Sequence, residues 1–104
     1  MIKVLVVDDD AGLRLSVRNA LEATKDIQVD EAFDGLNAVE KVKTNGRYDV
    51  VILDIDMPRL SGFEAMQAIK EHDPGIIVLM MTAYATIDDA VKAVREGAFH
   101  YIAK

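Results

Sequence analysis

The 104-residue chain has no cysteine. That excludes disulfides, thiolate nucleophiles and cysteine-bound zinc. Only two histidines occur, His72 and His100, far apart in sequence, which argues against a multi-histidine metal site. Basic charge is in deficit: 12 Lys and Arg stand against 18 Asp and Glu, a net charge of −6. This is the wrong sign for a nucleic-acid surface. No apolar run approaches a membrane span, and no signal peptide opens the chain. The six glycines form neither a GxGxxG fingerprint nor a phosphate loop closing on Lys-Ser/Thr, which disfavours nucleotide binding. The expectation is a soluble cytoplasmic protein with no membrane or nucleic-acid contact of its own. Hydrophobic residues make up 51% and charged residues 29%, an ordinary balance for one globular domain.

What remains is a regular alternation. "IKVLVVD" (Ile2 to Asp8) is rich in β-branched residues with little polar alternation, which suits a strand covered on both faces. Leu13, Val17, Ala20 and Leu21 follow at helical spacing. "IQVDEAF" (Ile27 to Phe33) alternates more and reads as a strand nearer an edge. Asp34-Gly35 begins a helix carrying Leu36, Val39 and Val42, and Asn45-Gly46 ends it. "DVVILD" (Asp49 to Asp54) is a third strand, and its Val50–Leu53 run predicts burial on both faces. Ser61 and Glu64 have capping-box spacing before a helix with Phe63, Met66 and Ile69. Pro74-Gly75 breaks it, and "IIVLMMT" (Ile76 to Thr82) is a fourth strand. Thr86 and Asp89 repeat the capping pattern ahead of Val91 and Val94, Gly97 stops that helix, and "FHYIAK" (Phe99 to Lys104) is a fifth strand. Strand and helix alternate four times before a last strand, which implies a parallel sheet with helices on both faces.

In such sheets ligands bind beyond the carboxyl ends of the strands. Those ends carry Asp8-Asp9-Asp10, Asp54, Thr82 and Lys104. Each has an ordinary use. Asp9 or Asp10 caps a helix, Asp54 and Asp56 suit a turn, Thr82 suits a strand, Lys104 is a solvated cation, and Tyr101 is a half-buried strand aromatic. The combination points further. Unit charges about 4 Å apart repel by about 4 kcal/mol at an effective dielectric near 20. Carboxylates that close take up a proton or a cation, and hard oxygen donors without histidine or cysteine favour Mg²⁺. A carboxylate nucleophile, Mg²⁺, a hydroxyl and a lysine together supply the parts for phosphoryl transfer.

At this point the chain resembles the receiver domain of two-component response regulators. The resemblance rests on Asp8-Asp9, "DIDMPRLSG" (Asp54 to Gly62), "MTAYA" (Met81 to Ala85) and "GAFHYIAK" (Gly97 to Lys104), in that order. It implies a flavodoxin-like doubly wound parallel five-stranded sheet of strand order 2-1-3-4-5. It implies Asp54 as phosphoacceptor, with Mg²⁺ held by Asp8, Asp9, Asp54 and the backbone carbonyl of Asp56, in a loop that Pro58 helps to fix. Thr82 and Lys104 would contact the phosphoryl group, and Thr82 and Tyr101 would act as the switch pair. The implied partner is a sensor histidine kinase, with a homodimer as the candidate assembly. "MTAYATIDDAVKAVREGAFHYIAK" is similar to receivers of enhancer-binding transcription activators. Residues 1–104 then form one receiver domain, expected to be truncated after the fifth strand or covered by a partner. A final helix burying about four large apolar side chains would contribute on the order of 8 kcal/mol. The competing reading is a Mg²⁺-dependent aspartyl-nucleophile phosphatase of the haloacid-dehalogenase type. Its Asp-x-Asp would come first in the chain, whereas here the acidic pair comes first and Asp54-Ile55-Asp56 is central.

Overall fold

A computed structural model describes residues 1–57, 60–83 and 86–103. All nine expected elements are present, in the expected order. The strands are β1 (Ile2–Val7), β2 (Ile27–Ala32), β3 (Val50–Asp54), β4 (Ile77–Thr82) and β5 (His100–Ala103). Between them lie α1 (Ala11–Glu22), α2 (Gly35–Thr44), α3 (Gly62–His72) and α4 (Ile87–Arg95).

The helices start where side chains satisfy their first amides. Asp10 accepts from the amides of Gly12 and Leu13, and Asp34 from that of Asn37. Ser61 and Glu64 cap each other reciprocally, and Thr86 accepts from the amide of Asp89. Gly46 and Gly97, just past helix ends, have φ of 81° and 110°, left-handed values that glycine adopts without a Cβ clash.

The five strands pair in parallel in the order β2-β1-β3-β4-β5. The chain therefore leaves β1 in both directions, and the crevice between the ends of β1 and β3 is the topological switch point. One face of the sheet carries the main core. Leu5, Val7, Val51, Leu53, Val78 and Met80 pack there with Ala38 and Val42 of α2, Met66 and Ile69 of α3, and Ala93 of α4. The opposite face holds a smaller cluster of Val4, Val6 and Val29, against which Val17 and Leu21 of α1 pack.

Three expectations need correction. Val51 and Leu53 are fully buried, but Val50 and Ile52 are only half-buried, so the β3 run is closed on one face and partly open on the other. Further along that open face Ile77 and Ile102 are exposed, because α1 lies over β1 and β2 instead. Ala20 is exposed rather than part of the inner face of α1. The apolar stripe of α4 also points outward: Ile87, Val91 and Val94 are 83%, 46% and 60% exposed. The inner side of α4 is Ala93, with Lys92 over the Phe63 ring at 4.4 Å and Glu96 accepting from Gln67 at 3.3 Å.

At the amino end of the sheet, Tyr48 is buried and its hydroxyl donates to Asp30 Oδ2 at 2.7 Å. Burial, followed by the bond to Asp30 and the charge of Asp30, pushes its pKa up from 10.0 to about 12. The phenol is raised in the folded state, so its contribution is complete below pH 10 and is lost as pH rises through about 12. The stability difference between wild type and Tyr48→Phe, read from urea midpoints, should shrink from pH 9 to pH 11.5. A difference that stays constant over that interval would contradict this assignment.

Candidate functional site

Register builds the site. Val7 of β1 lies beside Leu53 of β3, so the next residues, Asp8 and Asp54, emerge together at the switch point. Carboxylate oxygens of Asp8, Asp9 and Asp54 all lie within 4.8 Å of one another. Asp8 and Asp54 are buried and Asp9 is exposed. Three ionised acids this close repel by a few kcal/mol per pair, so the backbone must hold them in place, and a bound cation would offset the charge.

The backbone does hold them. The Asp8 amide donates to the Ala32 carbonyl at 3.2 Å, continuing the β1–β2 ladder past the end of β1. Asp8 Oδ1 accepts from the Asp10 amide at 2.9 Å, while Asp10 caps α1. Across the crevice, Asp54 Oδ1 accepts from the Asp56 amide at 3.4 Å, and the Ile55 amide donates to the Met81 carbonyl at 3.2 Å. Two glycines allow close backbone approach. The Gly62 amide donates to the Ile55 carbonyl at 2.9 Å, and a Cβ on Gly62 would lie 2.3 Å from the Asp54 carbonyl oxygen. A Cβ on Gly35 would lie 2.6 Å from the Leu60 carbonyl oxygen.

The donor set fits Mg²⁺. All three groups are hard carboxylates, and the exposure of Asp9 leaves one side open to the waters this ion retains. Asp56 flanks the cluster with an exposed side chain. Thr82, at the end of β4, is buried, and its Oγ1 donates to Asp56 Oδ2 in a long contact of 3.5 Å. Thus Asp8, Asp9 and Asp54 come together as expected, and Asp56 and Thr82 meet beside them. Tyr101 is on β5 opposite Met80, its ring packed on the main core. Its hydroxyl is buried with no hydrogen-bond partner among the described residues. Lys104 and Pro58 lie outside the described residues.

Sequence reasoning missed Arg14, whose Nη1 donates to the Asp8 carbonyl at 2.7 Å and whose Nε donates to Glu31 at 3.1 Å. The signal was available: an arginine four residues after a helix cap, whose side chain leans back toward the helix start. The bond from Arg18, and then that from Arg14, holds the Glu31 carboxyl below the usual carboxylate range. The spatial roles of Gly35 and Gly62 were also missed, since nothing local distinguishes a glycine in a turn from one under a neighbouring carbonyl.

The family model of the response regulator receiver domain matches residues 4–104, and the chain belongs to that family. Transcriptional regulatory protein ZraR of Klebsiella oxytoca is 40% identical over 103 residues, which is 99% of this chain and 23% of that protein. DNA-binding transcriptional regulator NtrC of Proteus hauseri is 38% identical over 101 residues, 97% of this chain and 21% of that protein. The chain therefore spans about a quarter or less of these relatives' lengths. A solved response regulator from Burkholderia pseudomallei with a phosphorylated aspartic acid, calcium ion and citrate matches with a TM-score of 0.91 at 26% identity, covering 100% of this chain and 60% of that one.

Replacing Gly62 by alanine should destabilise the fold by about 1–3 kcal/mol, because the new methyl meets rigid backbone rather than a flexible side chain. Urea denaturation checks this as a lowered midpoint with an unchanged slope. An unshifted midpoint would mean that the Asp54–Ile55 backbone yields freely.

Proposed function

We propose that this chain is a phosphorylation-dependent switch that accepts a phosphoryl group from a sensor histidine kinase onto Asp54. The observation that carries the reading is a buried Asp54 within 4.8 Å of Asp8 and Asp9 at the switch point of the sheet. A rigid carboxylate beside a hard-cation site has the parts for nucleophilic attack on phosphorus.

In the proposed step, an Asp54 carboxylate oxygen attacks phosphorus. The P–N bond of the phosphohistidine breaks, and its electron pair stays on the imidazole nitrogen, which takes up a proton. Asp8, Asp9, Asp54 and the Asp56 backbone carbonyl would hold Mg²⁺, which supplies charge neutralisation for the phosphoryl oxygens. Thr82 would leave its contact with Asp56 and donate to one phosphoryl oxygen, and Lys104 would neutralise another. The new group adds negative charge and acceptor oxygens to the cluster. Movement of Thr82, which is buried, would then vacate space that the Tyr101 side chain turns to fill. The chain is in this reading a phosphoacceptor that assists its own labelling, and not a multiple-turnover enzyme.

The resemblance of this chain to two transcription regulators supports a transcriptional output in a longer protein; in this reading the output is exerted in the cytoplasm, with a homodimer as the candidate active assembly. This domain would not itself touch nucleic acid, consistent with its net charge of −6. No helix among the described residues is long and apolar enough to cross a membrane.

Incubation with Mg²⁺ and a small phosphodonor, followed by intact-mass measurement, should show one added phosphoryl group on wild type. Asp54→Asn should show none. An unlabelled wild type, or equal labelling of Asp54→Asn, overturns the assignment.

A further inference from the structure

We infer that Arg14 is a positioning residue for the acidic cluster, holding the peptide that joins Asp8 to Asp9. The inference rests on the reading of that cluster as a Mg²⁺ site. The Asp8 carbonyl and the Asp9 amide share one rigid plane. Rotation of that plane changes ψ of Asp8 and φ of Asp9 together, and so moves both carboxylates relative to Asp54. The Asp8 amide is tied to Ala32 and the Asp8 side chain to the Asp10 amide. Neither bond reaches the plane itself. Among the described residues, the bond that does reach it comes from Arg14 Nη1, which donates to the Asp8 carbonyl oxygen at 2.7 Å.

Arg14 is itself held. Its side chain is only 17% exposed, and its Nε donates to Glu31 Oε1 at 3.1 Å. The other oxygen of Glu31 accepts from Arg18 at 3.0 Å, and Arg18 also pairs with Glu22 at 3.2 Å. Lys41 Nζ donates to the Glu31 carbonyl, and Glu22 accepts from the Val29 amide at 3.2 Å. A chain of charge-assisted bonds thus runs from edge strand β2 through α1 to the peptide between two candidate metal ligands. Groups of this kind orient a site without touching the ion.

Charge and positioning predict opposite signs. As a nearby cation, Arg14 repels Mg²⁺, so its loss would tighten binding if charge alone mattered. As a tether, its loss weakens binding.

The test is a Mg²⁺ titration of ¹⁵N-labelled wild type, Arg14→Ala and Arg14→Lys, following the amide signals of Asp9, Asp54 and Asp56, with a thermal midpoint for each protein. Folded Arg14→Ala should bind about tenfold more weakly. Arg14→Lys should fall between, since one ammonium must be divided between Glu31 and the Asp8 carbonyl. Arg14→Ala with wild-type or tighter affinity overturns the inference. Should Arg14→Ala not fold, Arg14→Lys decides: weaker binding supports the tether and unchanged binding overturns it. A wild type whose signals do not move with Mg²⁺ instead overturns the metal-site reading, before any variant is compared.

Discussion

Mutual repulsion among Asp8, Asp9 and Asp54 is the constraint around which this fold is arranged. Ionised carboxylates within 4.8 Å of one another repel, and a backbone that cannot move limits how far they can separate. A parallel sheet meets that requirement because its central strands are pinned on both sides. β1 is bonded to β2 and β3, and β3 to β1 and β4. The register that pairs Val7 with Leu53 sets the two buried acids side by side. Their mutual distance is therefore a property of the sheet, not of flexible loops.

The surroundings of the cluster extend the same rigidity. Asp10 ties the first strand end to α1, and the missing side chain of Gly62 lets α3 start directly under the Asp54 carbonyl. On the side of β2, Arg14 and Glu31 connect the Asp8 peptide to an edge strand. By contrast, the described residues toward β5 are less deeply buried. Tyr101 buries a hydroxyl without a partner among the described residues, a cost of about 1–3 kcal/mol. α4 rests on a single fully buried alanine. Under the proposed function, a helix this lightly buried beside rigid acids is the part that a few kcal/mol can move.

Much of this was legible in the residues. Strand and helix order, the Ser61–Glu64 and Thr86–Asp89 caps, the stops at Gly46 and Gly97, and the acids at strand ends all follow from interactions within a few positions of sequence. Parallel pairing followed from the alternation of elements, because a strand followed by a helix returns in the same direction. Those features depend on local dihedral preference, capping and periodicity, which a linear chain carries in full. Other features depend on partners distant in sequence. The outward stripe of Ile87, Val91 and Val94, the half-open face at Val50 and Ile52, the meeting of Thr82 with Asp56, and the reach of Arg14 to Asp8 and Glu31 required the folded chain. Periodicity shows that a helix or strand has an apolar face. Which way that face turns is set by the volume and position of neighbouring elements, a global packing condition that no short stretch of sequence contains.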